Sequence, residues 1–311
     1  MLRIDDGRRK AAVNSRHLES KMRRLLSTCH GCAFLTVLLW SSAYVFTKIA
    51  LEQFTGPALG FLRCAVATAA LTMVMLFRRA PRPRAVDLPW LILSGAAGFA
   101  LYLLAFNKGS ETLNPTTCCI IISTAPIITA LIARGWFKES LTAASWAAIT
   151  AAFGGVVLLM LWDGSMTLSG GVFWMLAAAL LISLYNIIQR KLSGRYDSLQ
   201  ITAYSFLAGT VLLLWIAPQA TRELREASAG YIGVAVFLGL FPSALAYPLW
   251  VKALALAPRT STVTNYMYMT PLLALLLEYV IMAELPGAGA LVGGAVILGS
   301  LVLFARKGRK I

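Results

Sequence analysis

Ten apolar stretches divide the chain, each close to the roughly 20 residues that a helix needs to cross the hydrocarbon core of a bilayer. They run over 32–51, 57–77, 89–107, 115–133, 143–162, 169–189, 199–217, 229–251, 260–282 and 288–305. A water-exposed globule of 311 residues could not hide so much apolar side chain: 59% of the chain is hydrophobic and 13% charged, about half the charge of an ordinary soluble protein. The pattern predicts an all-α membrane protein with ten transmembrane helices and argues against a soluble enzyme. A formal net charge of +15 does not imply a nucleic-acid partner, because the basic residues form short clusters between the apolar runs rather than one stripe.

Those clusters set the orientation, since Lys and Arg are retained on the cytoplasmic side. Of the 28 Lys and Arg, 23 lie in the N-terminal arm, the C-terminal tail and alternate connections, and only Lys108, Arg222 and Arg225 lie in the opposite set. Both termini are therefore expected in the cytoplasm, in a multi-pass protein of the cell (inner) membrane. The expected organisation is a basic arm over 1–31, a first five-helix unit over 32–162, a second over 169–305 and a basic tail over 306–311. Met22-Arg23-Arg24 would serve as a start as well as Met1. The first apolar stretch is too long for a cleaved signal core. The Cys29-His30-Gly31-Cys32 run has metal or redox spacing, but the chain's one other histidine is His17 and a zinc site needs about four ligands. It reads as a boundary segment, with no metal and no cofactor.

The two units resemble each other. Sliding the chain by 145 residues aligns Tyr102 with Tyr247, Pro126 with Pro271, Glu139 with Glu284 and Gly154 with Gly299. Five helices per unit is an odd number, so the second unit enters the membrane with opposite orientation. Inverted repeats of this kind belong to secondary transporters, whose substrate site lies between the halves near the midplane.

With Trp40-Ser41-Ser42 and Lys48 in the first stretch, Pro57 and Arg63 in the second, and the twice-repeated proline-then-acid pattern (Pro126 with Lys138-Glu139, Pro271 with Ala283-Glu284), residues 32–305 resemble the ten-helix EamA transporters of the drug/metabolite transporter superfamily. That family commonly has Gly at the position of Ser41 and before each repeated Glu. The resemblance implies transport of small metabolites, amino acids or drugs by alternating access, without naming the substrate.

Charge in hydrocarbon costs roughly 2.5 to 3.5 kcal/mol on insertion scales, which singles out Lys48, Arg63 and Glu278. At 1.5 Å per residue they lie about 24, 9 and 27 Å along their stretches, all in the outer half. An outer cluster is expected in which Glu278 pairs with Arg63 or Lys48 as a gate or proton-coupling point; the competing reading is snorkelling to the headgroups and a static bond. Trp40, Ser41, Tyr44 and Lys48 share one face of the first stretch, offering amphipathic aromatics to a ligand. Ser123, Asn265 and Tyr268 on the fourth and ninth stretches, and Tyr102, Tyr247 and Trp250 on the third and eighth, complete the candidate substrate-binding set. Pro126 and Pro271 are expected helix kinks. Ala147, Ala151 and Gly155, and likewise Gly289 and Gly293, recur every four residues and permit close helix packing, within a monomer or in a homodimer through the fifth and tenth stretches.

No phosphate loop and no H-E-x-x-H, G-x-S-x-G or G-x-G-x-x-G pattern occurs, and both histidines sit in the N-terminal arm. The sequence therefore reads as a gradient-driven carrier, an exporter or proton-linked exchanger of small metabolites. A lipid-linked sugar flippase and a non-transporting membrane enzyme or sensor are the alternatives.

Overall fold

The computed structural model describes residues 28–137, 142–162, 170–256, 263 and 265–307. Most of the basic arm, the end of the tail, Lys138 and Glu139 lie outside the described residues. Among the described residues all regular structure is helical, and each of the ten apolar stretches contains a helix. In chain order these are α1 (Cys29–Ala50), α2 (Gly56–Phe77), α3 (Ala85–Thr112), α4 (Pro115–Trp136), α5 (Ala143–Leu161), α6 (Gly170–Leu192), α7 (Ser198–Leu212), α8 (Ala217–Glu226), α9 (Ala229–Ala253), α10 (Thr270–Met282) and α11 (Ala288–Lys307). Six helices are long and apolar enough to cross a membrane, or seven when the bent pair formed by α7 and Leu214–Glu226 counts as one. Large apolar side chains such as Leu76, Phe77, Trp215 and Val280 point outward, as a lipid-facing surface requires.

Local signals fix the helix starts. Thr28, Thr55, Asn114, Thr142 and Asp197 each accept a hydrogen bond from a first-turn amide, and Pro57 and Pro115 stand in first turns, where a missing N–H does no harm. The Thr28 cap starts α1 three residues before the sequence boundary, so Cys29 and Cys32 are buried in the first helical turn, in no disulfide, rather than part of a boundary segment. The seventh stretch also ends differently: after a 49° bend the chain continues through Pro218 into α8. Arg222 and Arg225, assigned above to a connection, are therefore helical.

The packing has a repeated pattern. α3 lies along α6 as α9 lies along α1; α7 crosses α3 as α2 crosses α9; α5 packs on α11, and α2 on α7 and α8. Exchanging α1, α2, α3, α4 and α5 with α6, α7–α8, α9, α10 and α11 in that order turns each of these pairs into another member of the set. Equivalent helices that touch run antiparallel. An added Cβ at Gly155 would strike Ile297 and the Gly293 carbonyl, and one at Gly289 would strike Trp162, so the end of α5 meets the start of α11. Along α2, Thr55 bonds Glu223, Thr68 bonds Thr210 and, just past its end, the Pro81 carbonyl bonds Tyr204. The close approach offered by Gly155, Gly289 and Gly293 is thus used within one chain.

Gly155→Val should force α5 and α11 apart and lower stability by about 1–3 kcal/mol. Gly154→Ala, where a new Cβ meets nothing within 4 Å, should be neutral or slightly stabilising because Ala is the better helix former. Thermal unfolding in detergent separates the two.

Candidate functional site

Two helices carry a π-helical turn, Ala96–Ala100 within α3 and Gly239–Leu245 within α9. The 145-residue shift lays the first onto residues 241–245. Such turns widen the helix and re-aim the side chains that follow, and in each half the residue two places beyond is a tyrosine, Tyr102 or Tyr247. In α9 the turn accommodates Pro242. In α3 it places Gly98, where an added Cβ would come within 2.4 Å of the Tyr185 ring on α6.

The turns feed an aromatic centre. Trp40 of α1 packs its ring 5.7 Å from Tyr247 and 5.3 Å from Trp250. Tyr247 also borders Phe99 and Phe206, at 6.1 and 6.2 Å, which stack on each other at 3.6 Å. Tyr44 and Tyr102 both lean on Phe106, at 5.4 and 5.6 Å. Five of the sequence candidates, Trp40, Tyr44, Tyr102, Tyr247 and Trp250, are therefore gathered in one region drawn from both halves. Arg63 of α2 is buried beside it, within electrostatic reach of Tyr102, Tyr247 and Tyr44, with its Nη1 donating to Thr47 Oγ1 at 3.3 Å.

Other candidates go elsewhere. Ser41 is fully buried with its hydroxyl directed to the carbonyls of Val37 (2.7 Å) and Thr270 (3.1 Å). Ser183 of α6 does the same in the other half, reaching Ala179 (2.6 Å) and Ala125 (2.9 Å). Ala125 and Thr270 are 145 residues apart and each precedes a proline, so each half's first helix clamps the other half's fourth helix just before Pro126 or Pro271. These prolines open a fresh helical segment after a turn at Ser123–Thr124 and a 3-10 segment at Asn265–Met269. Ser123 bonds the Cys119 carbonyl at 2.8 Å. Asn265 and Tyr268 stand in that 3-10 segment, and their side chains lie outside the described residues.

The expected pairing of Glu278 with Lys48 or Arg63 is replaced by another arrangement. Lys48 Nζ donates to the carbonyls of Ser110 and Glu111, both at 3.0 Å, where α3 ends. Glu278 Oε2 accepts the Thr116 amide at 2.8 Å, where α4 begins. Each charge meets the helix end of opposite partial charge, so the two bracket the α3–α4 turn and tie it to α1 and α10. No ion pair joins them to each other or to Arg63 among the described residues.

Two polar latches close the ends of the α2 and α7–α8 pair. At the α1–α2 end, Glu223 accepts from the Thr55 amide and hydroxyl at 2.9 Å, Gln219 bonds both residues, the Ser228 amide donates to Gln53, and Tyr231 bonds Glu52. A cavity of about 530 Å³ opens there between Leu51–Pro57, Lys108, Glu111 and Gln219. At the α2–α3 end, buried Asp87 takes Arg195 at 2.7 Å and the Tyr196 hydroxyl at 2.9 Å, while Tyr196 accepts from the Arg84 amide at 3.0 Å. Exchange of the halves maps one latch region onto the other. Sequence reading missed both latches; the i, i+4 pair Gln219 and Glu223, and an acid at position 87 just after a basic run, were the available signals.

Together these features define a polytopic helical membrane protein made of two like halves around a shared aromatic centre. The EamA-like transporter family matches residues 28–161 and again 169–306, and the chain belongs to that family, as the resemblance in its sequence implied. It is 31% identical over 282 residues to the "Probable terminal-alkyne amino-acid exporter" of Streptantibioticus cattleyicolor, covering 91% of this chain and 95% of that protein. It is 29% identical over 273 residues to the transporter YdfC of Bacillus subtilis, covering 86% and 87%. A solved crystal structure 18% identical in sequence superposes with a TM-score of 0.59 over 91% of this chain and 99% of that one, which shows a shared fold.

Ser41→Ala and Ser183→Ala should each lower stability by about 1 kcal/mol, the usual worth of a buried neutral hydrogen bond. The two losses should be alike in thermal unfolding, because the clamps are equivalent.

Proposed function

We propose that the chain is a secondary active carrier, an exporter of small metabolites of the amino-acid kind, in which two inverted five-helix halves expose the aromatic centre alternately to the two sides of the membrane. The observation that carries this reading is the pair of equivalent latches at opposite ends of the antiparallel α2 and α7–α8 pair, with the aromatic centre between them. Opening one latch while the other stays shut gives alternating access. The antiparallel contacts of equivalent helices support inverted ten-span topology, and the Lys and Arg distribution supports a cytoplasmic α2–α3 end and cytoplasmic termini. The amino-acid class is suggested by the exporter named above. The test is counterflow in proteoliposomes: vesicles loaded with unlabelled amino acids should accumulate labelled ones transiently and unmodified, and vesicles without protein should not. Chemical change of the label, or no accumulation with any amino acid tested, contradicts the reading.

Glu278 is the proposed coupling group. A carboxylate on the Thr116 amide favours the α4 N-terminus through its charge, and protonation removes that preference, loosening the turn that Lys48 holds from the other side. Glu278→Gln keeps an oxygen for the Thr116 amide but cannot change charge, so exchange should persist and lose its dependence on pH between acid and neutral conditions. An unaltered pH profile rules out Glu278 as the coupling group.

The latches give a separate prediction. Asp87→Ala should raise amide hydrogen exchange around residues 81–88 and 195–204 and lower it around 52–57 and 219–231; Glu223→Ala should do the reverse. Local loosening with no response at the far end identifies the latches as passive struts.

A further inference from the structure

A guanidinium does not give up its proton inside a protein, so a buried one needs an anion or a full set of acceptors. Arg63 has neither among the described residues. Its side chain makes one hydrogen bond, to Thr47, and its Nε is buried with no partner. The ionisable groups that bear on it are Tyr102, Cys64, Tyr247 and Tyr44, none of them a carboxylate. Three other charges have clearer partners: Asp87 has Arg195 at 2.7 Å, Lys48 has two carbonyls at a helix end, and Glu278 has the Thr116 amide on Oε2, although its Oε1 is buried without a partner among the described residues. In the register that pairs Ser41 with Ser183 and Thr68 with Thr210, the position equivalent to Arg63 in the other half is Ser205, so Arg63 has no cationic counterpart there. Tyr102 and Tyr247, the equivalent tyrosines of the two halves, both lie within electrostatic range of it, which sets it near the junction of the halves.

We propose that Arg63 binds the carboxylate of the transported molecule, with the Tyr102 and Tyr247 hydroxyls beside it. This rests on the carrier reading above and deepens it. Arginine suits the role because its planar fork can hold both carboxylate oxygens. Tyr247 belongs also to the Trp40–Trp250 cluster, so the rest of the ligand lies against indole and phenol rings. The fitting cargo is a small amphiphile with one carboxylate and an apolar or aromatic body.

The test uses the full chain in lipid nanodiscs, in chloride-free buffer, with L-phenylalanine and L-phenylalaninamide as probes, which differ in the carboxylate. Protection against thermal unfolding, titrated with each probe, reports binding without transport. For the wild type, the acid should protect at concentrations at least about tenfold lower than the amide, as expected when a charge-assisted hydrogen bond is lost. Arg63→Gln should erase that preference and Arg63→Lys should restore part of it, and the comparison of two probes on one variant cancels any change in its intrinsic stability. Equal protection by acid and amide in the wild type, an undiminished preference in Arg63→Gln, or no protection by either probe overturns the proposal. Counterflow, run independently on a wider set of amino acids, tells failure of this assignment from failure of the carrier reading.

Discussion

Hydrocarbon offers no water to a free carbonyl or amide, so every interruption of a spanning helix must be satisfied from within the protein. That constraint accounts for the most informative contacts in this chain. α3 stops and α4 starts with only a short turn between them, and Lys48 takes the last carbonyls while Glu278 and Asn114 take the first amides. Where α4 is interrupted and where α10 begins, buried serines from the opposite half occupy the carbonyls before the prolines. The π-helical turns solve the same problem differently, keeping the backbone bonded while changing the direction of Tyr102 and Tyr247. Irregular backbone in such a protein occurs where something has been arranged to tolerate it, and here those places surround the aromatic centre.

The halves share their backbone irregularities but not their charges. π turns, serine clamps, latches and the Tyr102/Tyr247 pair all have counterparts, and counterparts are what a motion needs if it is to expose one centre by equivalent routes from two sides. Lys48, Arg63 and Glu278 are unmatched: Ser205 stands opposite Arg63, and Ala133 opposite Glu278. A charge present in one half alone cannot serve the symmetrical part of the cycle. It can give the centre a polarity, by fixing one orientation of a ligand or by making one step depend on protonation. The division between symmetric scaffold and asymmetric charge follows from the contacts and does not depend on which substrate is carried.

Much of this was legible in the sequence because bilayer thickness fixes the length of an apolar run. Each of the ten stretches contains a helix, and the 145-residue register that aligns Tyr102 with Tyr247 also aligns the π turns. Aromatic candidates such as Trp40 and Tyr44 were found because they lie deeper in the span than an interfacial belt requires. Partners were not legible. Depth along a helix put Lys48 and Glu278 at similar levels and suggested that they meet, but depth says nothing about azimuth, and a helix terminus competes as a partner for either sign. Ser41 was taken for a ligand contact because its face was counted; the carbonyl it satisfies belongs to a residue more than two hundred positions away. The bend after α7 was hidden by Pro218, which reads as a stop but is equally at home in the first turn of a new helix.

The strengths of the two latches bear on how such a protein could cycle. At the α1–α2 end the contacts are largely exposed hydrogen bonds, for which water competes, and each contributes little. At the α2–α3 end Asp87 is buried and carries both a guanidinium and a phenol, although Arg195 itself is half in solvent. A buried acid with two donors is costlier to separate than exposed amide contacts, so in the proposed cycle the α2–α3 end would be held more firmly and opening at the other end would be favoured without ligand. Reversing that balance requires differential affinity rather than affinity alone, since a ligand that binds both states equally shifts nothing. Arg63 lies on α2, whose N-cap Thr55 belongs to the α1–α2 latch and whose chain runs on through a short connection to Arg84 and Asp87 of the other latch, so an anion bound at Arg63 would act on the segment that joins the two. Coupling between centre and gates would then run along α2 and the short connection that follows it.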